Sequence, residues 1–211
     1  MQYLNSVRQR VLDGITATPI VASVLAGNAD QQAYARYLTN VWHYAQHSST
    51  VIGLAGSRCV ARHPDLAAYL LHHAQEELGH EQWALDDLAV LGVTPDRVRT
   101  SRPVVSCAAM IGYEYYVAGV ANPVGLFGWL YVLESMGDDL GGMVAEALGS
   151  TLKLDSGLKF LAGHGEADVA HTKDIIEQIE QHIDEKNLPD VHHAADVVAD
   201  LYVRMFHELS D

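Results

Sequence analysis

The chain has 211 residues, two cysteines, and a formal net charge of −14 from 27 acidic and 13 basic residues. A chain of this length makes one domain, residues 1–211, that buries about 70 % of its unfolded surface and encloses a protected cavity without a cofactor to hold it together. The acidic balance argues against nucleic-acid and anionic-membrane partners, which call for basic patches, and makes a small-molecule substrate the default.

Cys59 and Cys107 form no paired-thiol motif, and the opening MQYLNSVRQR does not read as a signal peptide, so a cytoplasmic location without thiol chemistry is expected. No apolar run approaches the roughly 18 residues of a membrane span.

Prolines and short Gly/Asn/Asp clusters separate long stretches of helical periodicity, and little reads as a strand. The expected fold class is all-α, with about seven to eight helices. The first two are expected near 2–13 and 17–26. A long one over 30–56 follows Asn28 and Asp30 as caps and carries His43 and His47 one turn apart. The next spans 64–91, with Leu66, Leu70, Leu71, Leu78, Leu85, Leu88 and Leu91 as its apolar stripe and a stop at Gly92 and Pro95. His73, Glu76, Glu77 and His80 lie close together on it. A fifth helix is expected over 103–119. The sixth, over 123–148, has Asn122 as cap and Pro123 in the first helical position, and Glu134 falls near its middle. Its GDDLGG stretch predicts a kink or a close backbone approach, because glycine costs about 1 kcal/mol relative to alanine inside a helix. The last two are expected over 155–186, interrupted near Gly163 and Gly165, and over 190–209 after Pro189.

In FLAGHGEADVAHTKDI, His164, Asp168 and His171 recur at i, i+4 and i+7, which places two imidazoles and a carboxylate on one helix face. This is a metal-ligand spacing. A lone histidine is more often a core or surface group than a ligand, so the weight falls on the joint pattern with Glu77, His80 and Glu134. A buried carboxylate is costly unless paired or metal-bound, and Glu134 is the only acid in the apolar run FGWLYVLESM. Glu77 shares a face with His80 better than Glu76 does, which assigns Glu76 to the solvated side; Glu166 likewise points away from the face of His164 and Asp168. His43, His47 and His73 are further candidate ligands. A mixed nitrogen and oxygen set suits iron or manganese better than structural zinc. Ferritin-type bundles use two Glu-x-x-His motifs, whereas this chain has one, Glu77 with His80, followed by His-x-x-x-Asp-x-x-His.

With YLTNVWHYAQHSS, HHAQEELGHEQWALDDLAVLG, GYEYYVAGVANPVGLFGWLYVLESMG and FLAGHGEADVAHTKDI in this order, the chain resembles the haem-oxygenase-like superfamily, and within it the non-haem di-iron oxidases and oxygenases. The resemblance covers most of the sequence and implies a haem-oxygenase-like helical bundle. Carried over position by position, it implies Glu77, His80, Glu134, His164, Asp168 and His171 as ligands of one or two Fe(II) ions, and O2-dependent oxidation of a small organic substrate. Histidine at an early position where relatives present a carboxylate, His43 or His73 here, lowers the negative charge available to two ions. Haem oxygenases hold haem through a histidine near the N-terminus, and none precedes His43, so haem is the weaker reading. TenA-like relatives use a cysteine nucleophile, for which Cys59 and Cys107 have no recognisable setting. The competing reading is a haem-oxygenase-like or TenA-like binding module with a degraded metal site. Trp42, Tyr44, Phe127, Trp129 and Tyr131 are candidate walls of a substrate pocket, and a homodimer is compatible with the resemblance.

Overall fold

The computed structural model describes residues 1–210, and among them helices are joined by short turns with no strand. In chain order these are α1 (Gln2–Thr16), α2 (Pro19–Leu25), α3 (Gln31–Cys59), α4 (Pro64–Glu76), α5 (His80–Val90), α6 (Pro95–Arg99), α7 (Val105–Gly119), α8 (Leu126–Met136), α9 (Gly142–Leu152), α10 (Lys159–His182) and α11 (Leu188–Glu208). The all-α expectation holds. The helices outnumber the expected stretches because two of those stretches are interrupted and α6 was not anticipated.

The long helix α3 begins where Asp30 accepts hydrogen bonds from the backbone N–H groups of Gln32 and Ala33, which would otherwise lack partners. It packs against α4, α5 and α7. On the other side of the core, α8 is almost wholly buried, with Phe127, Leu130, Tyr131 and Val132 sealed from solvent, and it is flanked by α1, α10 and α11. A helix apolar on every side must be surrounded, and α8 is.

The expected helix over 64–91 is a helix pair. The chain leaves α4 at Glu77 and turns through Gly79, whose φ of 93° is a left-handed conformation that glycine adopts without the Cβ penalty. The turn throws Leu78 outward, 68 % exposed, and Leu71 is exposed too, so neither belongs to the apolar stripe. Leu66, Leu70, Leu85 and Leu88 do.

The GDDLGG expectation is met by a π-helical turn, Gly137–Gly141, between α8 and α9. Arg8 from α1 fastens it, donating to Asp139 over 2.7 and 2.6 Å and to Asp138 over 2.9 Å. The turn packs on α10. Conversely, α10 runs unbroken through Gly163 and Gly165, against expectation. Gly163 lies under the Trp83 ring, and Gly165 meets Gly141 and Gly142 where the backbones cross, so the missing side chains are used for close packing.

Candidate metal centre

Four helices bring the acidic and imidazole groups together. From α4 come His73 and the capping residue Glu77, from the first position of α5 His80, from the last turn of α8 Glu134, and from α10 His164, Asp168 and His171. The Glu-x-x-His pair does not lie on one continuous helix, as its spacing had suggested. The Gly79 turn still places His80 Nδ1 3.2 Å from Glu77 Oε1.

Two groups of donor atoms result, each with all members within 4.8 Å of one another: His73, Glu77, Glu134 and His171 in one, Glu77, His80 and His164 in the other. Glu77 belongs to both. Glu134 Oε1 lies 3.1 Å from His73 Nε2, and its Oε2 lies 3.2 Å from His171 Nδ1. Asp168 is buried beside them, with Oδ1 3.8 Å from His171 Nδ1. Its carboxylate occupies space left by Gly137, where an added Cβ would lie 2.8 Å from Asp168 Cγ.

Burial disfavours a charged Glu134, but the hydrogen bonds to His171 and His73 outweigh it and hold the carboxyl well below the usual carboxylate range. Asp168 goes the other way, pushed up by burial and by the neighbouring Glu134 charge. His171 is raised by its Asp168 and Glu134 partners. For His73, burial works against the charge and the Glu134 hydrogen bond prevails, so it too is raised. Burial lowers His164, which stays neutral.

The tautomer of His164 is set from outside the cluster. Asp87 of α5 caps α10, its carboxylate accepting from the N–H of Lys159 at 2.9 Å and of Phe160 at 2.8 Å. One turn on, His164 Nδ1 donates to the Phe160 carbonyl over 2.9 Å, which leaves the Nε2 lone pair for a metal. Asp87 was missed by sequence reading, since nothing in ALDDLAV marks which of its acids meets a helix start elsewhere in the chain.

The donor set fits a divalent ion of the iron or manganese type. It is made of imidazoles and carboxylates without thiolates, and His73 Nδ1, His80 Nδ1 and Asp168 Oδ1 are buried polar atoms without a hydrogen-bond partner.

His43 and His47 lie elsewhere, which corrects their candidacy. They occupy the α3 face turned toward α7 and the segment that precedes it, where His43 Nε2 meets Ser101 Oγ at 2.9 Å and His47 Nδ1 meets the Tyr115 hydroxyl at 3.1 Å. Helical spacing put them on one face of α3, but it was the other face. Glu166 is exposed, as expected. Glu76 is less detached than expected: its Oε2 sits at the rim, 3.6 Å from His73 Nδ1 and 3.9 Å from His171 Nε2. Burial pushes the Cys59 and Cys107 thiols up to about 11 and about 12, so neither is a thiolate near neutral pH.

A cavity of about 290 Å³ opens from Glu77, Glu134 and His164 toward α2 and α11. Tyr44 and Trp129 line it. Trp42, Phe127 and Tyr131 do not: Trp42 packs edge-on against His43, Phe127 stacks on Tyr69, and the Tyr131 hydroxyl donates to Asn5 over 2.9 Å. Sequence reading missed Tyr34, Tyr37 and Tyr202 in the lining, although Tyr34, Tyr37 and Tyr44 stand at i, i+3 and i+10 on one stripe of α3.

Residues 35–203 match the model of a family described as iron-containing redox enzymes. The chain belongs to that family. No curated protein matches its sequence. Among solved structures, it is similar to a domain of unknown function with a haem-oxygenase-like fold from Shewanella denitrificans, at 28 % identity and a TM-score of 0.87, covering 97 % of this chain and 89 % of that one. A TenA homologue from Pseudomonas syringae aligns at 15 % identity and a TM-score of 0.77, covering 99 % and 89 %. Haem oxygenase-1 from the cyanobacterium Synechocystis, in complex with haem, aligns at 16 % identity and a TM-score of 0.73, covering 99 % and 92 %. The fold of this family member is thus haem-oxygenase-like, and no helix among the described residues is long and apolar enough to cross a membrane.

Proposed function

We propose that the protein is a non-haem iron oxidase or oxygenase that uses O2 to oxidise a small organic substrate. Glu77, His80, Glu134, His164, Asp168 and His171 would hold two ferrous ions. The observation that carries this reading is the overlap of two donor groups at one carboxylate, Glu77, which would be within reach of both ions. Three carboxylates against two divalent ions leave a small net positive charge, which a buried site tolerates better than isolated ions. Bound iron supplies the O2 activation that no side chain can.

The remaining functions fall to the chain itself. Asp87 and the Phe160 carbonyl orient His164, and the Gly137 gap seats Asp168. The cavity, at the lower end of the roughly 300–1,000 Å³ range of ligand pockets, would admit a small and largely apolar substrate to the cluster.

Anaerobic titration with Fe(II), metal analysis and then exposure to O2 test the proposal. Two irons per chain and a transient oxidised chromophore are expected, with His80→Ala losing one ion and Glu77→Gln weakening both. Absence of iron binding, or binding unchanged in both variants, refutes it and favours a binding module.

A further inference from the structure

We infer that the hydroxyls of Tyr37, Tyr44 and Tyr202 form a polar subsite in the cavity wall that selects an uncharged substrate carrying a hydroxyl or an N–H group; this rests on the proposed function and names its substrate class. Tyr37 and Tyr44 stand two turns apart on one face of α3, and Tyr202 faces them from α11. All three line the cavity, and their hydroxyls hydrogen-bond to one another. The rings are held in place. Tyr44 meets Tyr202 edge-on at 6.4 Å and 82°, while Phe206, one turn further along α11, contacts Tyr202 at 5.2 Å and 89° and Tyr37 at 5.6 Å and 34°.

Packing alone does not call for these hydroxyls. The wall around them is mostly Ile, Val, Leu and Phe, and phenylalanine would fill the same space without burying an oxygen. Other internal tyrosines bond away from the cavity: Tyr34 donates to the Gly157 carbonyl over 3.0 Å and Tyr131 to Asn5 over 2.9 Å. The trio instead turns its hydroxyls to one another.

A phenol has one donor and two acceptor lone pairs, so a closed ring of three uses every donor and leaves one lone pair on each oxygen. Such a site accepts a hydrogen bond from its occupant. A hydroxyl or an N–H gives one, whereas a carboxylate can only accept. Burial pushes all three phenols up, Tyr202 to about 12, so near neutral pH they carry no charge to balance an ionic ligand, ammonium included. The guanidinium on the lining, Arg36, precedes Tyr37 on α3 and so points roughly 100° away from it. It donates to the Leu209 carbonyl over 3.2 Å. An apolar pocket with a few placed polar groups draws its specificity from those groups.

The test is calorimetry on the full chain, metal-free and loaded with Co(II), with toluene, benzyl alcohol, benzoate and benzylamine, which share one ring and differ in one substituent. Wild type should bind benzyl alcohol at least as tightly as toluene, and in the Co(II)-loaded form both charged probes at least tenfold more weakly. Tyr202→Phe keeps the ring and its packing on Phe206. It should weaken benzyl alcohol by about tenfold and leave toluene unchanged, the toluene titration serving as the control for an intact cavity. If toluene and benzyl alcohol weaken together, or neither does, Tyr202 only shapes the wall and the subsite is overturned. Tighter binding of benzoate or benzylamine than of benzyl alcohol in the loaded form means a charged substrate and overturns it too, as does a wild type that binds none of the four. A chain that takes up no metal but shows the benzyl alcohol preference and its loss in Tyr202→Phe keeps the subsite and refutes only the oxidase.

Discussion

Replacing Gly137 by alanine sets local helix propensity against packing at the metal centre, and the two effects have opposite signs. Gly137 is helical, at φ −62° and ψ −46°, so alanine should by propensity stabilise the protein by about 1 kcal/mol. The added Cβ, however, would lie 2.8 Å from Asp168 Cγ and 3.3 Å from its Cβ, with Oδ2 nearer still. Ordinary contact begins near 3.4 Å. Asp168 is 3 % exposed and bounded by Glu134 and His171, so its short side chain has no free space to enter. Overpacking of this kind costs about 1–3 kcal/mol, which outweighs the propensity gain. The internal control is Gly142, also helical at φ −64° and ψ −44°, where an added Cβ meets nothing within 4 Å. Urea denaturation of the metal-free proteins should therefore show Gly142→Ala more stable than wild type by about 0.5–1 kcal/mol, and Gly137→Ala less stable by up to about 2 kcal/mol. Gly137→Ala should also bind one ion fewer in an Fe(II) titration. If Gly137→Ala is stabilised as much as Gly142→Ala, Asp168 does not occupy that space and the account of its seating is wrong.

Two further outcomes follow from groups outside the cluster. Asp87→Ala strips two hydrogen bonds from the first turn of α10 and should cost about 1–3 kcal/mol in urea denaturation, with weaker binding of the His164 ion; unchanged stability would show that the cap is dispensable. Glu114, fully buried on α7 with both carboxylate oxygens lacking a hydrogen-bond partner, is pushed by burial from 4.5 up to about 8. The folded state therefore binds this proton more tightly than the unfolded chain does, and stability falls as pH rises from about 4.5 to about 8. Glu114→Gln should flatten that part of the metal-free stability profile and gain on wild type above pH 8, as read by denaturation at pH 5 and pH 8.5; parallel profiles would refute the assignment.

The sequence alone determined the helical class and most of what stands at the cluster, because both are written in local periodicity. The His164, Asp168 and His171 spacing fixes one face of α10 whatever packs against it, and an isolated acid in FGWLYVLESM signals a buried carboxylate. The kink at GDDLGG was legible for the same reason, since repeated glycines weaken a helix locally. The break at Gly79 was less so, because Gly163 and Gly165 continue α10 and leave room for Trp83 and for the Gly141 and Gly142 backbone, whereas Gly79 ends a helix through its left-handed φ with nothing opposite it, and the sequence does not mark which use a glycine serves. Only tertiary structure decided which histidines join the centre. His43, His47 and His73 all sit on amphipathic stretches, but a helix face acquires its neighbour from chain that folds tens of residues away: His73 meets Glu134 of α8, while His43 and His47 meet Ser101 and Tyr115. The Asp87 cap and the cavity wall are non-local in the same way. Spacing along a helix fixes which side chains share a direction, and packing of the other helices determines what that direction faces.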